Sequence, residues 1–109
     1  MAVISYDDFQ KVDIRIVKVI EAEKIIGKTK ILKLKIDIGS GETRTIIAGG
    51  AEYYTPDYFI RKQFVALINL APRKIAGIDS QGMLLAADTG PKPIWLIVDG
   101  DAPIGARVM

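Results

Sequence analysis

The chain has 109 residues, a formal net charge of +2, and neither histidine nor cysteine. This length is near the commonest domain size, and it predicts one domain over residues 1–109 that buries a core without disulfides. The missing residue types exclude thiolate nucleophiles, Cys/His zinc sites and histidine general bases. The acidic residues do not cluster with the spacing of metal ligands, so we expect neither a metal nor a cofactor.

The distribution of charge is more informative than its sum. Residues 11–37 contain eight Lys/Arg and four acids, and the stretch KTKILKLK at 28–35 has four lysines and no acid. The first residues carry acids rather than a basic region, and no apolar run approaches the ~18 to 20 residues that a membrane span needs. We therefore expect a cytoplasmic protein whose positive charge lies in its first two thirds.

The first predicted strand is long and bent. Over residues 12–25 the apolar residues Val12, Ile14 and Ile16 share one parity, whereas Val17 and Val19 share the other. Alternation of this kind is typical of a half-buried strand, and the change of parity predicts a bulge or a bend at residues 16–17.

Residues 31–39 predict a second strand, which alternates strictly. Its inward side chains are Leu32, Leu34, Ile36 and Ile38, and its outward ones are Lys33, Lys35 and Asp37. The turn signal GSGE separates it from a third predicted strand, TRTIIAGG at 43–50, whose two final glycines permit a sharp exit.

The remaining elements complete the predicted fold. Thr55 as N-cap, Pro56 at the first helical position and Asp57 in the first turn predict a short helix. QFVALINL at 63–70 and GMLLAAD at 82–88 predict the fourth and fifth strands. Three strands, one helix and two strands indicate an all-β protein, an OB-fold five-stranded Greek-key barrel over about residues 10–88 with its helix between strands three and four.

A C-terminal extension over about residues 89–109 follows the predicted barrel. It packs over one barrel mouth, or it forms a two-fold dimer interface in which apolar surface is buried between copies. The sequence leaves both alternatives open. The candidate interface residues are Ile94, Trp95, Leu96, Ile97, Pro103 and Ile104.

Two loops flank the outward face of the second strand. Oligonucleotides typically meet an OB-fold at strands two and three and at the one-to-two and four-to-five loops, which are EKIIGKTK (23–30) and NLAPRKIAGIDSQ (69–81) in this chain. Cations there neutralise phosphates, and polar side chains bond sugars or base edges. The candidate RNA contacts are Lys28, Lys30, Lys33, Lys35, Asn69, Arg73, Lys74, Ser80 and Gln81.

The spacing in the four-to-five loop disfavours covalent catalysis by Ser80. Gly77 lies three residues before Ser80 rather than two, and no histidine is present to activate the hydroxyl. Strands two and three also carry no aromatic platform for stacked bases. The face therefore favours recognition of RNA backbone and shape, as is common for structured RNA.

The segments quoted above, above all the pattern Asn-Leu-x-Pro-Arg-Lys…Gly-x-x-Ser-Gln-Gly-Met, resemble the tRNA-binding domain family over about residues 10–109. That family includes stand-alone structure-specific tRNA-binding proteins and the separate beta subunit or C-terminal domain of methionyl-tRNA synthetase. The resemblance implies that Arg73, Lys74 and Ser80 touch RNA, with Met83 close to the contact surface. Lys28, Lys30, Lys33 and Lys35 match the family's basic region less closely.

The resemblance also implies partners. It indicates a non-catalytic protein that binds tRNA by shape as a homodimer, dimerised through its C-terminal extension and acting with a separate methionyl-tRNA synthetase chain. The alternative function is a chaperone-like, peptide-binding dimeric OB protein, in which exposed apolar residues and Met83 would contact the peptide.

Overall fold

Short strands dominate the structure, a computed structural model that describes residues 1–109. Its two helices are α1 (Tyr6–Gln10) and α2 (Pro56–Phe59). Its strands are β1 (Ile14–Lys24), β2 (Ile31–Asp37), β3 (Thr43–Gly49), β4 (Gln63–Leu67), β5 (Arg73–Ile75), β6 (Ile78–Ser80), β7 (Met83–Leu84), β8 (Ala86–Asp88) and β9 (Pro93–Trp95).

Five of these strands form one antiparallel sheet in the order β3-β2-β1-β4-β7. The sheet curls around a core of 14 buried residues that includes Phe59 of α2 and Phe64 of β4. The result is a nearly closed barrel with a short helix between its third and fourth strands, which confirms the predicted OB-fold class.

The alternation of β2 is realised as predicted. Leu32, Leu34 and Ile36 are fully buried, whereas Lys35 is exposed on the outer face. Alternate residues of a strand point to opposite faces of the sheet, so the apolar parity alone determines which face of β2 lines the core.

The bulge in β1 lies at Ile20, so the prediction of a bulge at residues 16–17 is wrong. The register with β2 shifts between Val19 and Glu21. The cause is tertiary: the Arg61 N–H donates to the Val19 carbonyl (2.8 Å), and the Val19 N–H donates to the Lys62 carbonyl (3.1 Å). The connection from α2 to β4 therefore bonds the main chain of β1 just before the bulge.

The segment predicted as a plain loop between strands four and five forms a β-hairpin instead. Strands β5 and β6 pair with each other, and Ser80, the last residue of β6, and Gln81 lie along the edge of β3. The Ile47 N–H donates to Ser80 Oγ (3.0 Å), and the Thr45 N–H donates to Gln81 Oε1 (3.0 Å). The Gln81 N–H donates in turn to the Thr45 carbonyl (2.9 Å). Two side chains thus substitute for part of a strand ladder and close the barrel.

The predicted fifth strand divides into β7 and β8, which have different partners. β7 pairs with β4, whereas β8 pairs with β9 of the C-terminal extension. Leu85 lies between them, where its N–H donates to the Val65 carbonyl and its carbonyl accepts from the Leu96 N–H. The strand leaves the barrel at this residue because its next partner belongs to the extension.

The C-terminal extension packs on the barrel of its own chain. The Ile16 N–H donates to the Ala106 carbonyl (2.9 Å), and the Gly105 N–H donates to the Ile16 carbonyl (2.7 Å). At Gly105, φ is +91° and a Cβ would lie 2.9 Å from the Gly39 Cα, so this close main-chain contact needs a glycine.

Helix α1 was not predicted. Ser5 caps it, accepting from the Asp8 N–H while the Asp8 carboxylate accepts from the Ser5 N–H, a reciprocal capping box. The Ser-x-x-Asp spacing is the sequence signal that could have identified this helix. Neither helix has the length and apolar character needed to cross a membrane.

Candidate nucleic-acid interface

A cleft of about 550 Å³ crosses the outer face of β1, β2 and β3 and is called here the first cleft. Lys33 and Lys35 of β2 line it because the inward parity of that strand is fully apolar, which leaves the lysines on the outer face. Thr45 of β3 and Ile60, after α2, also line it. The structure thus brings the two predicted lysines of β2 together in one concave surface.

The first cleft contains acidic groups that sequence reasoning missed. Glu23 stands opposite Lys33, and Glu21 stands opposite Lys35 in the β1–β2 register. The Lys33 ammonium lies 3.5 Å from the Glu23 carboxylate, whereas Lys35 has no carboxylate within 4.0 Å. Two lysines and two glutamates make this surface polar and balanced in charge. The outward parity of β1 after its bulge is the signal that would have revealed it.

The hairpin β5–β6 carries two further cations. Arg73 and Lys74 are exposed, with Lys74 3.9 Å from the Asp79 carboxylate opposite it. Arg73 lines a small apolar pocket of about 160 Å³ together with Ile47, and Ile47 is opposite Lys33 in the β2–β3 register. Arg73 and Lys33 therefore lie on two sides of Ile47, and the hairpin adds a cation beyond β3.

Ser80 does not have the position expected of an RNA contact. It is 5 % exposed, and its hydroxyl both accepts from the Ile47 N–H and donates to the Gly82 carbonyl (3.1 Å). A buried hydroxyl with both partners inside the protein is not available to a ligand. The assignment of Ser80 to RNA contact is therefore corrected to a role in barrel closure.

Three other residues of the motif have different surroundings. Gln81 is exposed, but its side-chain amide oxygen accepts from the Thr45 N–H of β3. The Asn69 side chain accepts from the Asp13 N–H (2.8 Å) and donates to the Lys11 carbonyl (2.6 Å), so it ties the N-terminal segment to the barrel. Met83 is 43 % exposed at the small apolar pocket beside Arg73. Both polar atoms of the Asn69 side chain are thus bonded to the N-terminal segment, and Asn69 does not line the first cleft.

Lys28 and Lys30 lie in the exposed loop between β1 and β2. Neither ammonium has a carboxylate within 4.0 Å. The loop leads directly into β2, so both lysines flank the strand that carries Lys33 and Lys35. Solvated, unpaired ammonium groups are suited to phosphate contact.

The candidate dimer residues divide by burial. Trp95 is 9 % exposed and packs on Phe59 within the core of its own chain, with ring centroids 5.7 Å apart. By contrast Ile94, Leu96 and Ile97 are exposed, Ile97 at 65 %. Trp95 thus stabilises the single chain, and the exposed apolar surface of the extension comes from its neighbours.

Comparison with known proteins agrees with this architecture. The model of the tRNA binding domain family matches residues 14–107. The methionine–tRNA ligase of Thermotoga maritima is 51 % identical over 105 residues, which is 96 % of this chain but only 16 % of the ligase. The chain therefore spans about a sixth of the curated relatives it matches.

Solved structures show the same likeness over whole chains. The crystal structure of a MetRS related protein from Pyrococcus horikoshii superposes with a TM-score of 0.92 at 37 % identity and covers 100 % of both chains. The chaperone CsaA from Bacillus anthracis superposes with a TM-score of 0.90 at 26 % identity, covering 99 % of this chain and 100 % of CsaA. With the family match over nearly all of its length, the chain belongs to the tRNA-binding domain family.

Proposed function

We propose that this protein binds folded tRNA, without catalysing a reaction on it, through the outer face of the barrel. The observation that supports the proposal is that Lys33 and Lys35 line the first cleft, while Arg73 lines a pocket with Ile47, the residue opposite Lys33. Lys28 and Lys30 of the preceding loop and Lys74 of the hairpin enlarge that surface. Such cations neutralise phosphates and release counterions, which supplies affinity without base recognition.

The absence of stacking platforms supports recognition of shape. The side chains that line the first cleft are charged or aliphatic apart from Thr45, and none of them is aromatic. Single-strand binders depend on such rings, whereas structured RNA is recognised largely through backbone and shape. The surface is therefore suited to a folded RNA more than to an unfolded one.

A binding titration tests this function with folded tRNA, the same tRNA unfolded, and a single-stranded RNA of equal length. We expect the tightest binding to folded tRNA and a linear fall of log K with log salt, whose slope reports the number of phosphates engaged. Affinity that is independent of salt, or equal for the three RNAs, would contradict the proposal.

We further propose that the protein acts as a homodimer whose interface is formed by Ile94, Leu96, Ile97, Pro103 and Ile104. The exposed apolar side chains of the extension support this, because a two-fold axis would bury them against their own copies. Two linked tRNA surfaces would also raise apparent affinity. Removing the extension would also remove Trp95 from the core, so point substitutions are the sharper test.

Leu96→Glu and Ile97→Glu together should convert the dimer to a monomer, measured by sedimentation, with weaker tRNA binding. A double variant that remains a dimer of full affinity would refute this interface.

Since the matched ligase relatives carry this domain as a small part of their length, we also propose association with a separate methionyl-tRNA synthetase chain. Co-sedimentation of the two purified chains tests it.

A second candidate function is peptide binding. The small apolar pocket, lined by Ile47, Leu70, Ile75 and Met83, and the likeness to the chaperone CsaA favour it. Competition between an unfolded peptide and tRNA would show whether both use this surface. Charge reversal at Lys33 and Lys35 should weaken tRNA binding far more than binding of an apolar peptide.

A further inference from the structure

A second cleft, of about 460 Å³, opens between the outer face of β1, the connection from α2 to β4, and the C-terminal extension. Lys18, Arg61 and Lys62 line it. Ile97 and Ile104, two residues of the proposed dimer interface, form its apolar side, and Asp101 is its acidic residue. None of the three cations belongs to the motif or the basic stretch that the sequence emphasised.

The charge of this second cleft differs from that of the first. It presents three cations and one carboxylate, whereas the first presents two of each. None of its cations lies within 4.0 Å of a carboxylate oxygen. A lining with more cations than acids favours anions over one in which the two are equal in number.

The backbone at Arg61 is strained. Its φ is +68°, in the left-handed region that glycine adopts readily and a long side chain rarely does. The 2.8 Å bond from its N–H to the Val19 carbonyl holds it there. Strain of this kind at a charged residue points to use of the side chain. Lys62 is positioned too, with its ammonium 3.5 Å from the centroid of the Tyr58 ring.

The two clefts adjoin each other. Ile60 lines the first and Arg61 the second, so one peptide unit separates them along the chain. On the sheet, Lys18 of β1 stands opposite Asp37 of β2, and Asp37 lies two residues after Lys35 in that strand. An RNA strand that leaves the first cleft across the bulge of β1 therefore meets these cations.

We propose that Lys18, Arg61 and Lys62 form a phosphate-binding cluster that receives the RNA backbone where it leaves the first cleft. This inference rests on the proposed function and assigns it a second contact region. Three cations provide charge without base contacts, so the cluster adds affinity and orientation rather than sequence preference. Arg61 contributes a guanidinium fork matched to a phosphate, which is the use that its backbone strain supports.

Arg61→Gly removes the guanidinium without adding backbone strain. Glycine adopts the same φ freely, so the variant should keep or raise its Tm while its Kd for folded tRNA rises about tenfold. Its log-log salt slope should fall by about 1. Lys18→Ala should have the same direction of effect. Lys92→Ala, in the turn between β8 and β9 and outside both clefts, is the charge-matched control that should leave Kd unchanged.

The outcomes are distinguishable from failure of the proposed function. If the wild-type protein does not bind tRNA, both proposals fail. If it binds and loses affinity on Arg73→Ala but not on Arg61→Gly or Lys18→Ala, the cluster is refuted and the proposed function stands. If Arg61→Gly instead changes the sedimentation coefficient of the free protein, the cleft belongs to an interface between copies, and the cluster is again refuted.

Discussion

The two ends of the hairpin β5–β6 belong to one sequence motif but make opposite kinds of contact. Arg73 and Lys74 on the hairpin are exposed and make no bond to the barrel sheet. Ser80 and Gln81 bond the main chain of β3. A short, specific motif therefore combines exposed cations with residues that hold their hairpin on the barrel.

The largest effect on the barrel-closing region should come from Gly82→Ala. At Gly82, φ is +147° and a Cβ would lie 2.7 Å from the Leu67 carbonyl oxygen, a main-chain atom that cannot move aside. We expect a loss of about 2–4 kcal/mol of unfolding free energy, measured by urea denaturation.

Gly77→Ala on the hairpin is the matched control for that substitution. Gly77 also has positive φ, +78°, but nothing lies within 4 Å of its added Cβ. It should cost only the backbone strain, about 1 kcal/mol. Equal losses at the two glycines would remove the distinction between a packed closing edge and an open hairpin turn.

Ser80→Ala should have the next largest effect. It leaves the Ile47 N–H, which is bonded to the hydroxyl at 3.0 Å, without its partner inside the barrel. The expected loss of stability is about 1–3 kcal/mol, and tRNA affinity at a temperature where the variant is folded should be unchanged. Ser40→Ala, at an exposed turn serine whose hydroxyl makes no hydrogen bond, is the control. Weakened tRNA binding by fully folded Ser80→Ala would return this residue to the RNA contact.

Arg73→Ala with Lys74→Ala should show the reverse pattern. Both side chains are exposed, so the stability should change by no more than about 0.5 kcal/mol. The log-log salt slope of tRNA binding should decrease by about 1 for each phosphate that the variant no longer neutralises. A double variant with the wild-type slope would show that the hairpin does not contact RNA.

The smallest expected effect extends the comparison to the first cleft. Lys35 is free, whereas Lys33 must leave the Glu23 carboxylate, 3.5 Å away, to meet a phosphate. A pair this exposed is worth about 0.5 kcal/mol, so Lys35→Ala should weaken tRNA binding roughly twofold more than Lys33→Ala. Glu23→Gln should abolish the difference. Equal losses in the presence of Glu23 would contradict it.

Local patterns in the sequence predicted the parts of the fold that local physics determines. The parity of β2, the turn before β3 and the Thr55–Pro56 start of α2 are all in the structure. The sequence does not predict the bulge at Ile20 because that bulge accompanies a hydrogen bond from Arg61, which is distant in sequence. Strands β5 and β6 have three residues each, which is too short for alternation to be recognised.

The candidate site was predicted less completely than the fold. Residue type identified Lys33 and Lys35, which line the first cleft, and Arg73 and Lys74, which are exposed on the hairpin. Residue type could not show that Ser80 is buried beside β3. Nor could it show that Lys18 and Arg61, 43 positions apart in sequence, line the same cleft. Such facts depend on strand pairing and on the path of a connection, which periodicity does not encode.

The docking of the C-terminal extension beside α1 has a consequence for topology. The Arg107 guanidinium donates to the Gln10 and Val12 carbonyls, and Tyr6 and Met109 line the same small cavity. The two ends of the chain therefore meet, and a short flexible linker can join them. A circular permutant reopened at the exposed turn around Gly27 should fold to the same barrel, because every strand pairing remains available.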